Sequence, residues 1–529
     1  MRSISLGVTT VLGLLAADSS VAAAAAAAAA TPATFSLTDD GPVMSGFSEV
    51  MRGDGFLAVP VGTVPRSMGP KRAAEAFEDR LYNVNFFYAT DVNIGVPPQR
   101  VTVLVDTGSS ELWVNPDCRT AKSQQQAQQC MRFGKYDPRK SSQSNGPTGK
   151  EQLKYGDPSD QSTQTSVSIQ YYTDTVSLGG ASITNQTFGV VSNSRGQSQG
   201  ILGLAPDPRA GFDSDTPYRL VLSSMAAEGV IASRVYSLDL RHSDSTYGAV
   251  IYGGLDKSKF IGALEKRPIV KGTKGEYRLA VELSTVGVTA TTSSSFKVEG
   301  RDSSVMLDSG TTMSRMHSAV VMPILQALEA QDDGEGYFQV RCSLKTAGGS
   351  IDFGFGGKTI RVPLKDFILS LDRSSDTCYA GVVITTDQQI LGDSVLRAGY
   401  FVFDWDNQEV HIAQAADCGN NDIVAVSSGK NAVPSATGNC RDSDAMFTGE
   451  GSLPTSIKGG SFPTKAYTTV HTITSCPQFD TSCRIGAVTT QVIPAATGTG
   501  GADNGGRRVA ALSGLLMMIG MMTTACNVA

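Results

Sequence analysis

The chain carries one short string twice. "VLVDTGSSELWV" at 103–114 returns as "VMLDSGTTMSRM" at 305–316, so Asp106 and Asp308, 202 positions apart (308 minus 106), each end an apolar run. Each is followed by a hydroxyl residue, a glycine and a second hydroxyl residue, and each copy is trailed by an "ILG", in "GILGLA" at 200–205 and "QILGDS" at 389–394. A strand that turns at a glycine accounts for one copy. A paired string with a paired trailer points to a duplicated unit. Duplicated halves that meet about a pseudo-twofold axis bring equivalent residues together on it, which makes Asp106 and Asp308 neighbours.

Two carboxylates at contact distance in a poorly hydrated cleft do not both ionise cheaply, so one holds a proton while the other stays anionic. The anionic member can draw a proton from a water held between them while its partner donates to a peptide carbonyl oxygen, a hydrolysis that uses neither metal nor cofactor. Gly108 and Gly310 allow the tight turn and let backbone N–H groups approach each acid. Ser109 and Thr311 can donate to the carboxylates, and Thr107 and Ser309 can bond across the interface between the halves.

Charge and length narrow the remaining classes. With 529 residues, 40% apolar and 18% charged, the chain describes a globular core, and a net charge of −6 offers no basic stripe for nucleic acid. The four histidines are scattered without HExxH, and neither G-x-S-x-G nor a glycine-rich phosphate loop is present.

From "FYATDVNIGVPPQRVTVLVD" onward, short β-branched runs alternate with Gly, Pro, Asn and Asp: "RVTVLVD", "TSVSIQYY", "DTVSLGG", "GAVIYGG", "KDFILSLD" and "GYFVFDWDNQEVHIAQA". These read as strands and hairpins. Two stretches read as helices, 218–229 and 318–330, the second with Val321, Ile324, Leu325 and Leu328 on one face. The result is a mostly β globule in two parts. Residues 119–150 read as a polar surface loop.

The ends carry different signals. Arg2, the apolar "SLGVTTVLGLLAA" and the alanine run Ala22 to Ala30 read as a secretory signal over 1–21, with cleavage within 17–31. Residues 22–80, with the paired-basic Lys71-Arg72, read as a propeptide. Export implies an oxidising compartment, where cysteines pair. After Cys418 the strand pattern stops, and 418–506 is rich in Ser, Thr and Gly, which reads as a stalk. The apolar tail 507–529 runs to the chain end without a basic segment, and fits a glycolipid (GPI) anchor signal, with Asn504 as a possible attachment site, better than a membrane span. Its loss removes Cys526 and leaves eight cysteines. Of these, Cys418, Cys440, Cys476 and Cys483 allow three pairings, and sequence does not choose. "NQT" at 185–187 makes Asn185 a glycosylation acceptor.

Taken together, "VDTGSSELWV", "YGD" at 155–157, "GILGLA", "VIYGGLD" at 250–256, "MLDSGTT" and "ILGDSVLRAGYFVFDWDNQEVHIA" resemble the pepsin-like aspartic endopeptidases over residues 81–417. The resemblance implies an all-β, bilobal fold with lobes at 81–260 and 261–417, a few short helices, and a long cleft for protein or peptide substrates. It implies Asp106 and Asp308 as the catalytic pair, and Tyr155 with Gly156 on a flap over the substrate, the tyrosine hydroxyl near Trp113. It pairs Cys118 with Cys130 and Cys342 with Cys378; the first bridge closes 13 residues and is worth about 3 kcal/mol in the chain-entropy model. It also implies a monomeric zymogen whose own propeptide blocks the cleft, with Arg66 or Lys71 as the basic residue that reaches the acids.

At the flap, Asp157 and Pro158 replace the second small residue of pepsins, which is more similar to fungal secreted and cell-surface aspartic proteases of the candidapepsin and yapsin kind. The expectation is that Asp157 favours Lys or Arg just before the cut. The rival reading, an inactive pepsin-like binding or wall protein, would have lost an acid, its glycine or the flap tyrosine. All are present.

Overall fold

The two "ILG" trailers prove to be strands laid beside the acid-bearing ones. In the computed structural model, Gly200–Gly203 runs parallel to Gln99–Asp106, with Gly203 opposite Asp106, and antiparallel to Leu112–Val114, with Ile201 opposite Trp113. The second half repeats the arrangement. Gln389–Leu391 lies parallel to Ser304–Leu307, with Leu391 opposite Leu307, and antiparallel to Ser314–Met316, with Ile390 opposite Arg315. Each aspartate is thereby set at the end of a buried strand whose neighbours fix its direction. The structure describes residues 87–444, apart from 214–216, 243–244, 246, 291–292, 299–302 and 371–376, together with strands at 51–53, 56–58, 77–83, 467–472 and 488–493.

The first half hangs on long antiparallel pairs. Thr165–Leu178 is hydrogen-bonded to Asn145–Tyr155 on one side and Ala181–Arg195 on the other. Val167 and Ile169 are buried in one apolar cluster and Val176 and Leu178 in another, each pair at the strand's period of two, with the pairing register shifting between Asp174 and Val176. "TSVSIQYY" and "DTVSLGG" are parts of this single strand. A thirteen-stranded sheet also draws in chain from the second half: Gly399–Asp404 pairs with Val235–Asp239, and Glu409–Ala415 flanks it. The second half adds one five-stranded and two four-stranded sheets.

Both expected helices form, at Val221–Ala227 and Ser318–Ala327. Val321, Ile324, Leu325 and Leu328 are buried together in the main core. Disulfides join Cys118 to Cys130 and Cys342 to Cys378.

Three expectations need correction. Residues 119–150 are not simply a loop, because Gln124–Arg132 is an α-helix whose first turn is capped by Ser123 accepting from the Gln126 N–H at 3.2 Å. Its Cys130 end is pinned by the disulfide. "KDFILSLD" is not one strand: Leu364–Phe367 makes a short helix and, among its described residues, only Ile368–Leu369 pairs. Nor does the packed globule end at 417. Ile423–Ala425 pairs with Gly254–Asp256. Val426, Ala432, Val433 and Ala436 are buried with Phe260, Tyr400 and Val402, and Cys418 bonds Cys440. These small residues lack any periodic pattern; the apolar surface around Phe260 and Tyr400 is what recruits them.

Phe77–Asn83 joins the large sheet against Tyr247–Tyr252, so a boundary at residue 80 falls inside a paired strand. The secretory signal, the alanine run, Arg66, Lys71, Cys476, Cys483, Asn504 and the 507–529 tail lie outside the described residues.

Candidate active site

The parallel strands deliver Asp106 and Asp308 to one point between the halves. Both are nearly buried, at 5% and 6% exposure. Asp106 accepts the Gly108 N–H through Oδ1 at 2.8 Å and the Ser109 hydroxyl through Oδ2. Asp308 does the same with the Gly310 N–H and the Thr311 hydroxyl, both at 2.8 Å. A methyl group on Gly310 would lie 2.5 Å from Asp106 Oδ1 and 3.1 Å from Asp308 Oδ1, and one on Gly108 would lie 2.5 Å from the Asp308 carboxyl carbon. Each glycine thus leaves room for the opposite acid. Any side chain at these positions would push the pair apart.

Beneath the acids the halves interlock. The Thr107 hydroxyl donates to Leu307 O at 2.8 Å and accepts the Ser309 N–H at 2.9 Å. The Ser309 hydroxyl donates to Val105 O at 2.8 Å and accepts the Thr107 N–H at 3.2 Å. The two hydroxyls therefore bond the opposite backbone, not each other. Both residues are fully buried, where an unmet backbone group costs about 1–3 kcal/mol.

Burial, and after it the negative charge of Asp308, pushes Asp106 up to about 8. Water is a poor competitor there, and a second charge on the pair is resisted until that range. Loss of the Asp106 proton is therefore resisted through acidic and neutral solution.

Over this point lies the hairpin of Asn145–Tyr155 and Thr165–Leu178, with Tyr155 opposite Thr165. Trp113 Nε1 donates to the Tyr155 hydroxyl at 2.7 Å, and both rings join a cluster with Leu104, Val167 and Ile169. Gly156 turns the tip at φ +94°, and a Cβ would fall 2.5 Å from Thr163 O. Asp157 is not an open carboxylate, because it is 5% exposed, Oδ1 accepts the Ser159 N–H at 2.8 Å and hydroxyl at 2.6 Å, and Oδ2 accepts from Arg315 Nη1 at 3.2 Å. Burial alone would raise Asp157, but the Ser159 and Thr385 hydrogen bonds and the Arg315 charge outweigh it and hold the acid below its usual range. Asn185 sits apart on the exposed surface.

Two features escaped the sequence. Arg315 lies as far beyond Asp308 as Trp113 lies beyond Asp106, so aligning the two strings would have marked it. Glu111 receives hydrogen bonds from Tyr171 and Tyr218, and burial pushes it up to about 7; no sequence spacing signals that contact. Elsewhere among the described residues, Asp404, Glu409 and His411 bring one ligand atom each within 4.8 Å. Lys266 already neutralises Glu409 at 2.8 Å, and Asn407 bonds both Asp404 oxygens, at 3.0 and 2.7 Å.

The comparisons agree with this geometry. The family model for eukaryotic aspartyl protease matches residues 87–415. Secreted aspartic protease 3 of Candida albicans is 32% identical over 407 residues, covering 75% of this chain and 95% of that protein. Candidapepsin of Candida tropicalis is 32% identical over 350 residues, covering 65% and 83%. The crystal structure of aspartic proteinase from Irpex lacteus superposes with a TM-score of 0.51 at 23% identity, covering 65% of this chain and 98% of that one; at that identity it speaks for the fold alone. The chain belongs to the eukaryotic aspartyl protease family and is an aspartic endopeptidase with the pepsin-like, mostly β fold.

Proposed function

We propose that Asp106 and Asp308 are the catalytic pair of a secreted endopeptidase that works in acidic solution. The supporting observation is the crowding of the carboxylates against Gly108 and Gly310, where a methyl group on Gly310 would touch both acids and one on Gly108 would collide with Asp308. With one proton between them, the anionic acid takes a proton from a water held in the cleft. The water oxygen then attacks the peptide carbonyl while the protonated acid donates to the carbonyl oxygen. Proton transfer to the amine then releases the two peptides. Ser109, Thr311 and the two glycine N–H groups hold the carboxylates in register; Thr107 and Ser309 hold the halves. Tyr155, held by Trp113, closes over the substrate.

The chain is made as a zymogen. Cutting after Lys71-Arg72 frees the cleft and retains the paired strand Phe77–Asn83, which a cut at 80 would divide. The secreted relatives support export. The Ser/Thr/Gly-rich segment and apolar tail support attachment of a monomer to the cell surface through a GPI anchor, with Asn185 as a glycan site. Substrates are proteins or peptides, with Lys or Arg accepted before the cut through Asp157. The test incubates processed protein with a peptide library at several acidities, with and without pepstatin. Cleavage that is greatest in acid and abolished by pepstatin is expected; pepstatin-resistant cleavage, or full turnover after Asp308→Asn, would overturn the assignment.

A further inference from the structure

The repeat places one position of each half against the flap. Trp113 and Arg315 each sit seven residues beyond their aspartate (113 minus 106, 315 minus 308). Each also sits opposite the isoleucine of its "ILG" strand, Ile201 and Ile390. In the first half this position grips Tyr155 through Trp113 Nε1 at 2.7 Å. In the second it grips Asp157 through Arg315 Nη1 at 3.2 Å. The flap tip is thus fastened by both halves, on either side of Gly156.

We propose that Arg315 is a specificity-determining residue: it is the internal cation with which a basic substrate side chain competes for Asp157. This rests on the proposed acceptance of Lys or Arg through that acid. Asp157 Oδ1 is fully used by Ser159, and the side chain is 2% exposed. Its other oxygen faces the guanidinium, so an incoming ammonium reaches it only by taking that place. A displaced Arg315 has a second carboxylate within reach, since Asp160 lies 3.9 Å from Nη1 and is 42% exposed. The exchange replaces the pair of Arg315 with Asp157 by one between Asp157 and the substrate, while Arg315 keeps Asp160, with which it is already paired. An uncharged substrate side chain gains nothing from it. Arg315 therefore sets how strongly charge before the cut is rewarded, without touching the reacting atoms.

The test uses processed wild-type enzyme, Arg315→Met, Asp157→Asn and the double variant on two peptides that differ only in Lys or Leu before the scissile bond, at pH 5. The ratio of kcat/KM for the two peptides cancels any difference in folded fraction. Arg315→Met is expected to raise the Lys-to-Leu ratio about tenfold, the scale of one charge-assisted hydrogen bond, with the gain in KM, and the double variant is expected to lose that gain. An unchanged ratio in Arg315→Met, or an equal fall for both peptides, overturns the proposal and leaves Arg315 a flap anchor. If Asp157→Asn lowers the ratio while Arg315→Met leaves it unchanged, basic acceptance stands and only the competition fails. If neither variant moves it, the reading of Asp157 itself fails.

Discussion

Replacing Asp106 by asparagine separates the chemistry of the pair from its cost. Asp106 is raised from 3.8 to about 8, first by burial and then by Asp308. The sign follows from proton counting. Below 3.8 the group is protonated folded and unfolded, and its burial carries no ionisation penalty. As pH rises, the unfolded chain releases the proton while the folded chain keeps it. Stability therefore declines from about pH 4 until the folded group ionises near 8. At pH 7 the interval from 3.8 sets a ceiling of about 4 kcal/mol, at about 1.36 kcal/mol per unit. Water entering the cleft lowers this to an expected gain of about 2 kcal/mol for Asp106→Asn. Asparagine still accepts the Gly108 N–H and can donate to Asp308, so little packing is lost. Scanning calorimetry on freshly processed protein should show the variant melting about 2–3 °C above wild type at pH 7 and level with it at pH 3.5. Turnover should fall about a thousandfold or more. A stability difference independent of pH, or retained turnover, would refute the shared-proton reasoning.

Two further outcomes follow from contacts elsewhere. Thr107→Ala strands the buried Leu307 carbonyl and Ser309 N–H, and should cost about 2–4 kcal/mol in urea unfolding; a loss under about 0.5 kcal/mol would mean that the interlock is not what joins the halves. The double change Cys418→Ser with Cys440→Ser opens a bridge of sequence separation 22, and should cost about 3 kcal/mol. Amide hydrogen exchange should then rise across 419–444 while the dyad strands stay protected, and unchanged exchange there would show that the apolar contacts suffice.

The amino-acid order alone determined what depends on neighbours in the chain. Alternating β-branched runs predict strands because a strand's period is two, and the face of Val321, Ile324, Leu325 and Leu328 predicts a helix because three- and four-residue spacing stacks side chains. The repeated Asp-hydroxyl-Gly-hydroxyl string went further, since duplication about an axis is a statement about long-range contact written in local code. It brought Asp106 to Asp308 and foresaw Thr107 and Ser309 across the join.

Tertiary structure decided the rest. Asp157 reads as a substrate-facing acid in "KYGDPSDQ", yet it is buried with Arg315, 158 residues away, folded against it. The segment after Cys418 reads as stalk because its few small apolar residues make no pattern, yet the bared side of Phe260 and Tyr400 covers itself with them. Its disulfide partner was undecidable from spacing and is set by that packing. Hydrophobic burial rewards area removed from water wherever it comes from in the chain. A string of residues reports its own period, but not the surface that will lie across from it.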